Sequence, residues 1–104
     1  HYLPAAMDGH LWTVEKGTLY KTNMRSLRWQ QVGNVGDWEN TIAMVADRGF
    51  LWSVEADGTL FKTDKDGHYE QVGPKGILSQ VTLIVAMNNT LYVVENGTLY
   101  RTKG

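Results

Sequence analysis

The chain reads as an all-β protein built from β-propeller blades of four antiparallel strands, and three observations predict it. One motif is written three times: LWTVEKGTLYKT from Leu11, LWSVEADGTLFKT from Leu51 and LYVVENGTLYRT from Leu91. The copies start forty residues apart, a period typical of repeat units that cannot bury their apolar faces without neighbours. Each copy follows an apolar run and is punctuated by Gly, Asn or Asp at turn positions. No helical period interrupts the pattern.

The first strand of each unit is almost wholly apolar: Leu3 to Met7, Ile42 to Ala46 and Leu83 to Met87. Lacking the in-out alternation of a half-wet sheet, it is expected to be buried on both faces, as an innermost blade strand is. A tight turn follows at Asp8-Gly9, Arg48-Gly49 and Asn88-Asn89. Asp-Gly and Asn-Asn suit the positive φ of a two-residue hairpin turn. The second strand is Leu11–Glu15, Leu51–Glu55 and Leu91–Glu95, closed by Gly17, Asp57-Gly58 and Gly97.

Thr18–Thr22, Thr59–Thr63 and Thr98–Thr102 form the third strand. The fourth is Trp29–Val32 and Tyr69–Val72, with no third copy. Return loops of Gly-x-x-Gly form, Gly33 to Gly36 and Gly73 to Gly76, lead to the next innermost strand. The chain is one β-repeat domain with units at about 1–40, 41–80 and an incomplete 81–104. Eleven strands amount to about 2.75 blades.

Closure is then the central problem, because a propeller ring takes about four to eight blades. Two open sheet faces lined with apolar side chains need cover. Two copies of the chain related by a two-fold axis give six blades, so a homo-oligomer, with a dimer favoured, is expected. Arg101, Thr102 and Lys103 suit a charged edge strand that resists further pairing. Strand exchange between chains, or a longer propeller of which this is a fragment, are other routes. The competing fold is a β-trefoil, which also has three repeats and needs no partner.

Composition narrows the function. Ten basic and eleven acidic residues give a formal net charge of −1. No Lys/Arg stripe marks a nucleic-acid or anionic-membrane partner. Absence of cysteine removes thiol catalysis, disulfides and Cys–Zn sites. The longest apolar run, Val81 to Met87, is strand-sized, so no membrane insertion is expected.

Trp29-Gln-Gln-Val32-Gly33-x-x-Gly36-x-Trp38, then Gly49-x-Leu51-Trp52-x-Val54 and Gly58-x-Leu60-Phe61-Lys62, resembles the blade repeat of the tachylectin-2-type propellers. Nearly the whole chain follows that pattern. The resemblance implies non-catalytic carbohydrate binding, with N-acetylated hexosamines such as N-acetylglucosamine or N-acetylgalactosamine held between blades. The second loop departs from it, reading Gly76-Ile77-Leu78 without tryptophan.

Candidate site residues cluster on one rim. Asp37, Trp38, Glu39 and Asn40 lie in the first return loop, and Glu55 and Asp57 flank the adjacent hairpin turn. An indole stacks on the apolar face of a pyranose while carboxylates and an amide bond its hydroxyls. The architectural alternative packs Trp38 between blades and uses Asp37 as a turn cap. Tryptophan is missing from the second loop, which favours function, since an architectural residue should recur.

Glu15, Glu55 and Glu95 recur perfectly, which favours a structural role such as pairing with Lys21, Lys62 and Arg101 across the hairpin. Trp12, Trp52 and Tyr92 are expected in the core. Trp29 and Tyr69 stand between wedge and pocket wall. Asp64-Lys-Asp66-Gly67 resembles the start of a calcium loop but lacks the distal acid, so a solvated turn is expected. His1, His10 and His68 show no metal spacing. No nucleophile, zinc or phosphate-loop motif is present, so no enzyme, metal or cofactor is expected. Carbohydrate binding is the leading expectation, and a structural or protein-interaction propeller scaffold without a small-molecule site is the alternative.

Overall fold

The structure is a computed structural model and describes residues 3–102. His1 and Lys103, named above, lie outside the described residues. Eleven strands make three antiparallel meanders. The first sheet runs β1 (Ala5–Met7), β2 (His10–Glu15), β3 (Thr18–Thr22) and β4 (Trp29–Val32) in spatial order. The second runs β5 (Thr41–Asp47), β6 (Phe50–Glu55), β7 (Leu60–Thr63) and β8 (Tyr69–Val72). The third holds β9 (Val81–Met87), β10 (Thr90–Glu95) and β11 (Thr98–Arg101). Three separate meanders are propeller blades, and a trefoil barrel would not divide in this way.

Turn chemistry sets these hairpins. Asp8-Gly9, Arg48-Gly49, Asn88-Asn89, Lys16-Gly17 and Asn96-Gly97 all carry positive φ at both positions, which matches the right-handed twist of the flanking strands. The second blade has one more residue in its β6–β7 turn. There Gly58 alone turns left-handed and its N–H donates to the Glu55 carbonyl at 2.7 Å. Gly58 and its counterpart Gly17 also have no room for a side chain. A Cβ would lie 2.3 Å from the Ser79 Cα at Gly58 and 2.8 Å from the Glu39 Cα at Gly17. β5 and β9 share a bulge at equivalent places, between Thr41 and Ala43 and opposite Val94–Glu95.

Instead of one core there are two, each between consecutive blades. Strand alternation assigns the faces. Trp12, Val14 and Leu19 of blade 1 pack on Met44 and Leu51 of blade 2. Trp52, Val54 and Leu60 of blade 2 pack on Ile84, Leu91 and Val93 of blade 3. In the second strand every blade therefore shows an aromatic residue and a valine forward (Trp12, Trp52 or Tyr92 with Val14, Val54 or Val94) and a leucine backward (Leu11, Leu51 or Leu91). The indole N–H groups are satisfied, that of Trp12 by the Met7 carbonyl at 2.9 Å and that of Trp52 by the Asp47 carbonyl at 3.0 Å.

Two expectations need correction at the ends of the arc. Of the innermost strands, β1 and β9 are each covered on one face only: Ala6 of β1 is exposed beside Leu11, and Leu83, Val85 and Met87 of β9 look outward where no further blade stands. Tyr92 is half-buried for the same reason, whereas Trp12 and Trp52 are buried as expected. The opposite end presents the exposed side chain of Leu11. Arg101 ends β11, the edge strand whose outer side is open, and Thr102 follows just beyond it.

Candidate functional site

The return loop after each complete blade folds back onto that blade's own β2–β3 or β6–β7 turn. The Trp38 N–H donates to the Gly17 carbonyl at 2.8 Å, and the Leu78 N–H to the Gly58 carbonyl at 2.9 Å. The loop glycines are gripped by the recurring threonines: Gly36 N–H donates to Thr18 Oγ1 and Gly76 N–H to Thr59 Oγ1, both at 3.1 Å. Those two threonines are buried, which explains the Gly-Thr pairing in each motif copy. Leu78 thus makes the same backbone bond as Trp38 and packs against the second core. The missing second tryptophan therefore does not argue for function, because an architectural position here accepts either apolar residue.

Between blades 1 and 2 the loop roofs a cavity of about 170 Å³. Its blade-2 wall is the backward face of the sheet: Thr41, Ser53, Glu55, Phe61, Thr63 and Tyr69. Asp37 and Trp38 close it from the return loop. Phe61 and Tyr69 meet edge to face, with ring centroids 5.9 Å apart and planes at 82°, an arrangement aromatic pairs prefer. Tyr69 is thus a pocket wall. Its counterpart Trp29 lies exposed on blade 1.

Of the six candidate residues, Asp37, Trp38 and Glu55 meet at this cavity. Trp38 is only 7% exposed and belongs to the first core, so most of its surface is spent on packing. Glu39 lies beyond it, along a wider groove with Val14 and Lys16. Asn40 contributes its carbonyl, which accepts from the Ala56 N–H at 2.7 Å. Asp57 caps its own turn, accepting from the Thr59 N–H at 2.9 Å. Hydrogen bonding from Thr59 holds the Asp57 carboxyl below the usual range.

Burial pushes the Glu55 carboxyl up, with repulsion from Asp57 adding to it and Lys75 opposing. The expected cross-hairpin pairing of Glu15, Glu55 and Glu95 with Lys21, Lys62 and Arg101 is not formed among the described residues. The reason is parity. Lys21 pairs with Trp12 in the ladder, so it stands on the forward face while Glu15 points backward. Lys21 lies 5.5 Å from the centre of the Trp12 ring, and Lys62 lies 4.5 Å from the Phe50 ring centre and 3.3 Å from Glu70.

Two cavity residues, Phe61 and Thr63, carried no functional signal in the sequence because their types recur in every copy. Thr63 is fully buried and its Oγ1 has no hydrogen-bond partner among the described residues. Its counterparts Thr22 and Thr102 donate to the Leu11 and Leu91 carbonyls at 3.1 and 3.0 Å. Elsewhere, Asp64, Asp66 and His68 bring one ligand atom each within 4.8 Å of one another. The Asp64 Oδ1 accepts the N–H groups of Asp66 and His68.

Comparison with known proteins places this geometry. No family model matches the chain. It is 28% identical over 94 aligned positions to the Photosystem II assembly lipoprotein Ycf48 of Prochlorococcus marinus (strain MIT 9313), covering 80% of this chain and 26% of that protein. Virginiamycin B lyase from Staphylococcus aureus superposes with a TM-score of 0.65 at 11% identity, over 95% of this chain and 39% of the lyase. A catalytically inactive form of that lyase with quinupristin gives 0.64 at 12% identity, over 94% and 39% of the two chains. At such identities the likeness shows a β-propeller-type fold and nothing finer, and it does not single out the tachylectin-2 type. The chain spans about a quarter of the curated relative's length and about two fifths of the lyase's.

Proposed function

We propose that this chain is a non-catalytic propeller scaffold for protein assembly, its arc completed into a ring by a second copy. The observation that carries this is the relation between its ends. The forward face of blade 3, with Leu83, Val85, Met87 and Leu99 exposed, is the equivalent of the face that blade 1 buries on blade 2. The backward face of blade 1, headed by Leu11, is the equivalent of the face that blade 2 offers in return. Head and tail are therefore two halves of an interface the chain already makes twice within itself. A two-fold axis uses both at once and leaves no apolar face in water.

An assembly role has support from a curated relative, whose name describes an assembly lipoprotein. The lyase shares the fold alone, and its activity is not carried over. Carbohydrate binding, with N-acetylated hexosamine as ligand, is the second reading. In its favour is the position of the cavity between blades, where Asp37 and Glu55 offer acceptors to sugar hydroxyls. Against it is the burial of Trp38, which leaves little indole face for a pyranose.

Light scattering on the chromatographed protein tests the scaffold. Twice the mass of one chain is expected. A single-chain mass across the accessible concentration range would overturn completion by a second copy.

A further inference from the structure

We propose that the cavity between blades 1 and 2 is a receptor for an ammonium group on an alkyl stem, as presented by a lysine of a protein partner. This rests on the scaffold reading, in that it supplies the scaffold with a contact of defined chemistry. Three observations carry it.

The polar lining is not needed for packing. At the next junction the equivalents of Asp37, Trp38, Thr41 and Ser53 are Ile77, Leu78, Val81 and Val93. Val81 and Val93 are buried in the second core, with Leu78 packed against it. Glu55 and Thr63 recur at that joint as Glu95 and Thr102, but it is closed without a counterpart to the Asp37 carboxylate or the Thr41 and Ser53 hydroxyls, which are therefore an addition to the architecture.

The second observation is the orphaned hydroxyl. Thr63 lines the cavity with 0% exposure and an unpartnered Oγ1, although both its repeat counterparts are bonded. Buried polar groups without partners are rare and costly, and a ligand donor is the missing partner such a group calls for.

The third is the balance of the wall. Its side chains offer two carboxylates, four hydroxyls (that of Tyr69 included) and three aromatic residues, with no lysine, arginine, histidine or amide among them. Neither Asp37 nor Glu55 is in an ion pair among the described residues. Acceptors and the rings of Phe61 and Tyr69 together suit a cation, which carboxylates bind by charge and aromatic faces by their quadrupole. An N-acetyl carbonyl, by contrast, needs a donor, which this wall provides only as hydroxyls and the indole N–H of the largely buried Trp38. Size agrees: about 170 Å³ is below the roughly 300–1,000 Å³ of small-molecule pockets, and matches one side-chain head. The protein already holds its own lysines in this way, as Lys62 over the rings of Phe50 and Trp52 shows.

Titration followed by NMR, reading the Trp38 indole N–H and the Thr63 methyl, tests this on the whole chain. The probes are an acetylated Gly-Lys-Gly amide, its norleucine counterpart, n-butylamine and N-acetylglucosamine. The lysine peptide is expected to move both signals, butylamine to do so more weakly, and the norleucine peptide to leave them in place. Glu55→Gln should weaken lysine binding at least tenfold. Thr63→Val, which keeps the side-chain shape, should weaken it several-fold while the fold becomes no less stable. Equal response to norleucine would overturn the ammonium assignment. Butylamine binding as tightly as the peptide would overturn the protein source. A response to the sugar alone would return the cavity to carbohydrate, and no response to any probe would defeat the proposal. None of these depends on solution mass, so failure here and failure of ring completion are separate results.

Discussion

Leu19 and Leu99 hold the same place in the third strand of their blades, yet Leu19 is 1% exposed and Leu99 is 61% exposed. Their sequence surroundings, Gly-Thr-Leu-Tyr, are identical. What differs is whether another blade stands in front. Leu99→Asp is therefore expected to leave the chain folded and to reduce the measured mass to that of one chain. Leu19→Ala, at the covered position, should instead cost about 2–5 kcal/mol of stability in urea unfolding. A Leu99→Asp protein that kept the mass of the unsubstituted one would show that this face is not the joint.

Gly58 and Gly97 give a second contrast. Both turn left-handed, but only Gly58 has a return loop pressed against it, with the Ser79 backbone where a Cβ would go. Gly97 has open space. Gly97→Ala should cost about 1 kcal/mol, the backbone penalty alone. Gly58→Ala must also displace the loop, and thermal melts should place its loss above 2 kcal/mol, among the larger single-residue effects.

Thr63 and Thr22 are opposite cases of one residue. The Thr22 hydroxyl donates to the Leu11 carbonyl, while that of Thr63 has no partner among the described residues. Thr22→Val should lose about 1 kcal/mol, and Thr63→Val should be neutral or gain up to about 1 kcal/mol. Equal losses at both sites would mean that Thr63 finds a partner in solution.

Glu55 sets a pH dependence whose sign follows from its environment. Burial, aided by Asp57 and opposed by Lys75, raises its folded-state value, so the unfolded chain gives up that proton more readily. Stability is then complete below the unfolded value and is lost as pH rises through the folded one. Glu55→Gln should accordingly match the unsubstituted protein at low pH and exceed it at neutral pH. Asp57 acts in the other direction, since hydrogen bonding from Thr59 lowers its value. Its contribution disappears as pH falls, and a comparison of Glu55→Gln with Asp57→Asn across the acid limb separates the two.

The strands were legible because the signals that place them are local. Thr18–Thr22, Trp29–Val32 and Tyr69–Val72 come out with the expected ends, since local turns fix the boundaries: Gly17, Gly33, Gly67 and Gly73, and between Thr22 and Trp29 a turn in which the Asn23 side chain accepts from the Arg25 and Ser26 N–H groups. Which face of a strand meets which blade was not legible from one copy, and this decided most of the site. Lys21 and Glu15 lie close in sequence but on opposite faces, so a pairing that spacing permits is forbidden by the pleat. Trp38 looked like a binding residue because it does not recur, and only the backbone bond shared with Leu78 reveals an architectural position that accepts both. Phe61 and Thr63 look ordinary in each motif copy. They come to line one cavity with Glu55 of their own blade and with Asp37, which the return loop of blade 1 brings there.

The forward and backward faces of the arc are unlike, and this makes the molecule a directional part with one plug and one socket. Whether two such parts shut on each other or run on into a filament depends only on the rotation accumulated across three blades. It also means that a chain spoiled at one end alone remains fully able to engage with the other. Mixed with intact chains, a protein carrying Leu99→Asp would occupy sockets' counterparts without offering a plug of its own, and so act as a terminator.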